Sequence, residues 1–410
     1  MIRLTRSQIQ PIGLDIGRDS IKMIQLEVVG NSLSVRAAAR RSMPDEAKAD
    51  PQLRLSVAAE MVRQMLREGA FVGRRAVLAL PREIVHIKNF RLPLMPVTEL
   101  EPAVQLEARN LFTFDTDHAS VHFLAAGEVR QGNDVLQEVN VLAARNDDID
   151  DFVEHAHCCG VEVESLDVEQ LSLFRSIERF IRRREDEQEV HVLVDIGLAS
   201  SQVVIGKGRD ISVLKAIDIG GLHLHKAIAT RLGITVPEAQ ALRRRLVENH
   251  DRAETSDKRD PVRQAVFDAT RSVMEEIGHE ISLCLRYQSV TFRGNRPQRL
   301  RLFGGEAADT QLQAVLSSIV TIPVESGRPL HNVDASSMKS VERRGLMAEW
   351  ALALGLSLRR TVQRFGAKDG KPRGAATPAA AEPAAELIAE PIAEPAAAYA
   401  VVSPLEQAHA

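Results

Sequence analysis

Two stretches of this chain carry residue types suited to phosphate chemistry, and they share one pattern. Gly13-Leu14-Asp15-Ile16-Gly17-Arg18-Asp19-Ser20 is matched by Leu193-Val194-Asp195-Ile196-Gly197-Leu198-Ala199-Ser200. In each, an apolar run ends in Asp-Ile-Gly, a few residues follow, and a second apolar run begins, at 21–29 and at 201–205. A glycine at such a turn admits backbone geometries that bring amides close to an anion. The aspartate before it can hold a magnesium-bound water or orient an attacking water. Two such hairpins facing each other would grip a polyphosphate and its metal between them. One Asp-Ile-Gly is weak, because many buried strands end that way. Two in register, with a third run (300–305, LRLFGG) ending in Gly304-Gly305, are far more specific. The bland alternative is a tandem-lobed scaffold with tight turns and no ligand.

The elements that must position these residues alternate between strand and helix. Residues 12–15 read as a short strand stopped by glycine, and 21–29 alternates as a strand does. Ala58, Met61, Val62, Met65 and Leu66 fall at helical spacing, and 76–80 (AVLAL) is a buried strand closed by Pro81. From 85 to 134 comes a polar-apolar module: a strand-like VHIKNF, a Pro-bounded turn, a helix from about 99 to 111, then an alternating stretch. Residues 139–144 (VNVLAA) return as a strand of the first lobe. They feed Asn146-Asp147-Asp148, short polar side chains expected to cap the next helix. Strands at 190–195 and 201–205 then repeat the opening theme.

Composition sets the bounds. A chain of 410 residues exceeds one simple core, and two or more domains are expected. Hydrophobic residues make up 44% and charged residues 26%, an ordinary globular balance, while aromatics at 4% leave the cores to Leu, Ile, Val and Ala. A formal net charge of −4 gives no electrostatic case for nucleic acid. Three cysteines, two of them adjacent, support neither a disulfide framework nor a zinc site. No signal-peptide core or bilayer-spanning run is evident, so a reducing cytoplasm is the expected compartment, without direct membrane insertion.

The order strand-Asp-Ile-Gly, strand-Asp-Ile-Gly, strand-Gly-Gly resembles the two phosphate motifs and the adenosine motif of the actin, heat-shock chaperone and sugar kinase superfamily. Within it, 12–26 (IGLDIGRDSIKMIQL), 76–93, 105–114 (QLEARNLFTF), 140–153, 217–232 (IDIGGLHLHKAIATRL), 233–242, 303–305 and 353–358 are similar to the type IV pilus assembly protein PilM family. The resemblance spans about 12–358. It implies an α/β, actin-like two-lobed fold with mixed sheets, flanking helices and the extra subdomain shared with the cell-division protein FtsA. It implies ATP and magnesium as cofactors. Asp15, Gly17, Arg18, Ser20 and Lys22 would form the first phosphate motif, and Asp195, Gly197, Ser200 and Ser201 the second. Gly220 and Gly221 would open the segment that approaches the nucleotide, and Gly304, Gly305 and Glu306 would close over the adenosine. Magnesium would be held by Asp15 and Asp195, through water. Three departures stand out. Arg18 and Asp19 put charge into a turn usually built of small polar residues, Glu306 stands where a third small residue is common, and Gln240 and Arg243 replace the usual Glu and Lys beside the ribose.

The domain scheme expected is a first lobe over 1–84 and 135–189, an inserted subdomain over 85–134, and a second lobe over 190–365 with a smaller upper part at 220–295. A disordered Ala/Pro/Glu-rich tail follows over 366–410, where repeated Glu-Pro steps and few bulky apolar residues oppose folding. The implied function is an ATP-binding scaffold that captures the cytoplasmic N-terminal peptide of a PilN-like inner-membrane protein and couples the pilus platform to its motor, with hydrolysis slow or absent. An active ATPase or small-molecule kinase is the alternative, although no substrate-facing base stands out. Its partner-binding groove would use Val104, Leu106, Leu111 and Phe112 of the inserted module. Other motifs fall away: no G-x-x-x-x-G-K-[ST] occurs, His223 and His225 lack a third ligand, and His279-Glu280 meets Leu283 where a zincin needs histidine. The arginine runs 182–184 and 243–245 read as solvated helix faces. Glu169 could polarise a water, with a structural role at least as fitting.

Overall fold

The structure is a computed structural model that describes residues 7–360, except 31, 251–259, 293–295, 339–340 and 342–345. The chain opens with three antiparallel strands, β1 (Ser7–Ile16), β2 (Ser20–Val29) and β3 (Ser32–Ser42). Helices α1 (Asp45–Ala49) and α2 (Pro51–Glu68) then lead to β4 (Arg75–Ala79). A module of β5 (His86–Pro93), α3 (Val97–Leu111), β6 (Ala119–Gln131) and β7 (Asp134–Arg145) follows. Then come α4 (Asn146–Cys158), β8 (Glu162–Asp167) and α5 (Glu169–Glu178). The second half runs through β9 (Val190–Ile196), β10 (Ser201–Lys207), β11 (Asp210–Ile217), α6 (Gly221–Leu232), α7 (Val236–His250) and α8 (Pro261–Thr291). It finishes with β12 (Leu300–Gly304), α9 (Thr310–Val320), β13 (Val324–Ser326) and α10 (Ala351–Ser357).

The internal repeat seen in the sequence is a repeat of topology. One five-stranded sheet has the order β3-β2-β1-β4-β8 and the other β11-β10-β9-β12-β13. In each, the first three strands form an antiparallel meander and the last two run parallel to the Asp-Ile-Gly strand. Both Asp-Ile-Gly strands are covered on two faces. In β9, Val190, Val192, Val194 and Ile196 pack into the core with α6, α8 and α9, while Leu193 joins a second core with α5. Period-2 geometry therefore sends Asp195 to the α5 side. In β1, Ile12 and Leu14 pack with α2 and α4, which sends Asp15 to the opposite face.

Helices α5 and α10 lie between the two sheets, and their contact is unusually close. A Cβ on Gly355 would sit 1.8 Å from the carbonyl oxygen of Ser172, and one on Gly13 would sit 1.9 Å from that of Ala353. Glycine is required at both because backbone passes over backbone. Asp167, fully buried at the end of β8, anchors this layer. It accepts hydrogen bonds from Val168 N at 2.9 Å and Ser172 Oγ at 3.3 Å, and it pairs with Arg175. Burial alone would raise its pKa, but Arg175 and Arg359 outweigh that and hold it below the usual carboxylate range.

Three expectations are altered here. β7 does not return to the first-lobe sheet: it is the central strand of a separate sheet, β5-β7-β6, so the inserted module runs to Arg145 rather than stopping at 134. Several of the described residues between 334 and 358, expected in the second lobe, pack on the first. Asp334 exchanges backbone hydrogen bonds with Leu33 and Val35, and Met338, Trp350 and Leu354 share a core with Ile24, Leu26 and Val35. The Asn146-Asp147-Asp148 cluster does not cap α4, because Arg145 holds the N-cap position and no side chain caps it. Asn146 accepts from Ser120 instead, at 3.0 Å, and Asp147 and Asp148 pair with Arg145. The tail over 366–410 lies outside the described residues.

In the module, Val139, Val141 and Ala143 of β7 bury against Val104 and Ala108 of α3 and Phe112 at its C-terminal end. The opposite face of β7 is polar yet also buried. Asn140 donates to Ser212 O at 3.2 Å, and Glu138 takes bonds from Arg91, Asn89 and Tyr287. Tyr287 belongs to α8, so these contacts fasten the module to the second lobe. Of the four residues expected to line a groove, Val104 and Phe112 are internal and Leu111 is partly packed, whereas Leu106 stays 61% exposed.

Candidate functional site

Between the lobes lies a cleft of about 1070 Å³, within the range of nucleotide and cofactor sites. The two Asp-Ile-Gly hairpins face each other across it. Each closes in the same way, with Gly17 N donating to Ser20 O at 3.2 Å and Gly197 N to Ser200 O at 3.0 Å. Their tips, Arg18-Asp19 and Leu198-Ala199, line the cleft together with Gly17, Ser20, Gly197 and Ser200.

The floor is acidic. Asp15 and Asp195 project from the facing sheets, and Glu169 begins α5 between them. Burial and the charge of Asp15 push the Asp195 carboxyl up to about 7, against the pull of Lys22. Burial, with Asp15 and Asp195 nearby, pushes Glu169 up to about 8. Lys22 lies within the wall and donates to Asp15 Oδ2 at 3.0 Å. Burial lowers its pKa, but Asp15 and Glu349 more than reverse that, so it stays charged. Glu169 is held in place by Gln202, which donates to it at 3.0 Å and accepts from Gln170 at 2.6 Å. Carboxylates crowded out of water in this way cost free energy unless they protonate or find a cation. A hard divalent ion with oxygen ligands suits them, because magnesium typically takes one or two carboxylates, waters and phosphate oxygens. Among the described residues no group of three or more His, Cys, Asp or Glu side chains is arranged to ligate a metal directly, so Asp15 and Asp195 would hold it through water. Bound there, it would neutralise phosphate charge.

The second-lobe wall resolves two of the sequence departures at once. Arg243 on α7 forms ion pairs with Glu306 and, at 2.6 Å, with Asp309. All three are nearly buried, and the two carboxylates overcome burial to raise the Arg243 pKa. Glu306 needs the room that Gly221 leaves, since a Cβ there would meet its Oε1 at 2.2 Å. Gly221 and Gly220 do not line the cleft. They pack behind the second hairpin, where a Cβ on Gly220 would lie 2.7 Å from Ser200 N. Ser201 is also behind it, fully buried and donating to Ile219 O. Gly304, Gly305, Glu306, Gln240 and Arg243 do line it.

Asp19 is not a bare charge facing a phosphate. Gln240 of α7 donates to it at 2.8 Å, and Lys48 and Arg40 stand 3.4 and 3.7 Å away. Burial raises its pKa, but Gln240, Lys48 and Arg40 bring it below the ordinary value. Lys48 also donates to Gln240 Oε1 at 3.1 Å, so one cluster ties the first lobe to the second over the mouth of the cleft. A second tie joins Arg82 to Asp218. Arg40, Lys48, Arg54, Arg82 and Asp309 were not singled out from sequence, because each lies outside the repeated motifs and nothing in its local pattern marks it.

Duplicated sheets closing on an acid-floored interlobe cleft define a two-lobed protein of the actin-like fold. The comparisons with known proteins narrow this. The chain belongs to the type IV pilus assembly protein PilM family, whose profile matches residues 13–361. It is similar to the solved PilM-PilN type IV pilus biogenesis complex, with a TM-score of 0.68 and 23% identity over 85% of this chain and 98% of that one. Lower likenesses are to the ethanolamine utilization protein EutJ from Carboxydothermus hydrogenoformans and to Spiroplasma citri MreB5 bound to ADP. EutJ has a TM-score of 0.48 at 14% identity, covering 86% of this chain and 89% of that one. MreB5 has a TM-score of 0.41 at 12% identity, covering 87% and 97%. No helix among the described residues is long and apolar enough to cross a membrane.

Proposed function

We propose that the chain is a cytoplasmic ATP-binding scaffold of a type IV pilus assembly platform, and that it captures the N-terminal peptide of a PilN-like inner-membrane protein. The observation that carries the nucleotide half is the pair of matching hairpins with partly buried Asp15 and buried Asp195 facing across one cleft. Membership of the PilM family, and likeness to a PilM-PilN complex, support the partner half. The adenosine lies toward Gly304, Gly305 and Gln240, and the phosphates run across the hairpin tips to the first lobe. Magnesium sits over Asp15 and Asp195. The peptide docks at the boundary between the 86–145 module and the first lobe; on the module, Leu106 of α3 stands exposed.

Two measurements test this. Magnesium and ATP together should raise the melting temperature by mass action, and calorimetry should show saturable binding; silence in both at millimolar nucleotide removes the nucleotide half. Fluorescence polarisation with the N-terminal peptide of the membrane protein encoded next to this chain should report capture, and a flat titration removes the scaffold half. Slow hydrolysis is a second reading that rests on Glu169, which starts α5 at the acidic floor. Phosphate release that stops in Glu169→Gln would favour it.

A further inference from the structure

The cationic side chains around the first-lobe half of the cleft are mostly committed to partners. Lys22 is held by Asp15, Arg40 and Lys48 by Asp19 and their other carboxylates, and Arg82 by Asp218. Arg54 on α2 is different. It lines the cleft, and its Nη1 is buried with no hydrogen-bond partner among the described residues. A buried donor left unsatisfied is costly, and more so when charged. Beside it is Arg18, at the tip of the first hairpin. Its Nη2 donates to Glu83 at 2.6 Å, in a pair whose side chains are 37% and 56% exposed, so water can replace either partner at small cost. Burial, followed by the like charge of Arg18, lowers the Arg54 pKa, with Glu83 and Asp50 opposing. Two guanidiniums that repel each other at a cleft wall, one with a spare donor, are short of an anion. Guanidinium forks suit phosphate because several parallel N–H bonds reach its oxygens.

Position decides which phosphate. Arg54 and its charged neighbours Arg18 and Glu83 belong to the first lobe, whereas Gly304, Gly305 and Arg243 belong to the second. With the nucleoside toward the second lobe, the end of the polyphosphate is what reaches Arg54. We propose that Arg54, with Arg18 beside it, is the receptor for the terminal phosphoryl group of a nucleoside triphosphate, and that this pair makes the chain discriminate triphosphate from diphosphate. On binding, Arg18 exchanges Glu83 for phosphate oxygen and Arg54 Nη1 gains the partner it lacks. The inference rests on the nucleotide reading above and deepens it.

The test is calorimetry on the full chain with magnesium and either a non-hydrolysable ATP analogue or ADP. The unmodified protein should bind the triphosphate more tightly. In Arg54→Gln that affinity should fall by about ten- to hundred-fold, the range of one lost charge-assisted hydrogen bond, while ADP affinity changes by less than about threefold. Arg18→Gln should shift in the same direction, and Arg54→Lys, which keeps the charge without the fork, should lose less than Arg54→Gln. The three variants together keep the test decisive if one folds poorly, as judged by circular dichroism. Equal losses for both nucleotides, or none for either, overturn the assignment. Inorganic phosphate titrated into the magnesium-ADP complex is the control arm: a gain equal to that of the third phosphate assigns the subsite to free phosphate and overturns it as well. If the unmodified chain binds neither nucleotide, the broader reading has failed before any substitution is made.

Discussion

Replacing Arg243 by alanine should be among the most damaging single changes in the second lobe. Arg243 joins α7 to the segment after β12, and the ions it pairs are almost out of water, with side-chain exposures of 5% for Arg243, 14% for Glu306 and 7% for Asp309. Removing one member of a buried pair costs about 3–5 kcal/mol, mostly as the penalty of the stranded charge. The two carboxylates are not stranded equally. Asp309 also caps α9, accepting from Gln311 N at 2.9 Å and Leu312 N at 3.2 Å, and keeps those bonds. Among the described residues Glu306 has no such second anchor, so most of the cost falls on it. Adding Glu306→Gln should therefore restore part of the stability of the Arg243→Ala protein, and the double-mutant cycle should give a coupling term of about 0.5–3 kcal/mol. Glu306→Gln alone should destabilise. Urea unfolding followed by circular dichroism measures all four proteins. A cost under about 1 kcal/mol for Arg243→Ala, or strictly additive effects in the cycle, would refute the view that the triad clasps these segments.

Three further outcomes are expected. Asp195→Asn removes a charge that burial and Asp15 disfavour, so without ligand it should melt no lower than the unmodified protein, and calorimetric scans should show the magnesium-ATP gain lost. Gln240→Ala severs the bonds from α7 to Asp19 and Lys48 over the cleft mouth. At about 0.5–1.5 kcal/mol per hydrogen bond, the two together amount to about 1–3 kcal/mol, so release of a fluorescent nucleotide in stopped flow should quicken by roughly 5- to 160-fold, and unchanged release would show that the tie does not gate exit. Asp167→Asn should cost about 3–5 kcal/mol at pH 7 by stranding Arg175 and Arg359. The folded pKa of Asp167 lies below its unfolded value, so its contribution is present above about pH 4 and fades as pH falls through the folded pKa; the two unfolding curves should converge in acid.

The sequence by itself determined the parts whose cause is local. An apolar run, an acid and a glycine make a strand and its turn wherever they occur, so both hairpins and the Gly304-Gly305 turn could be read from short windows. Their repetition pointed to two lobes and a shared cleft. Tertiary structure decided everything that depends on distant partners. β7 alternates polar and apolar residues as a half-solvated strand would, yet Glu138 and Asn140 are buried, because the second lobe covers the face expected to meet water. Glu306 and Arg243 looked like two unrelated departures until folding brought together residues 63 apart in the chain. Asp19 looked like a charge out of place in a small-residue turn until Gln240, 221 residues away, supplied its hydrogen bond. The return of α10 to the first lobe likewise has no local signal, since a short run of Ala, Leu and Gly suits many cores. Only the close fit of Gly355 on α5 and of Gly13 under α10 selects this one.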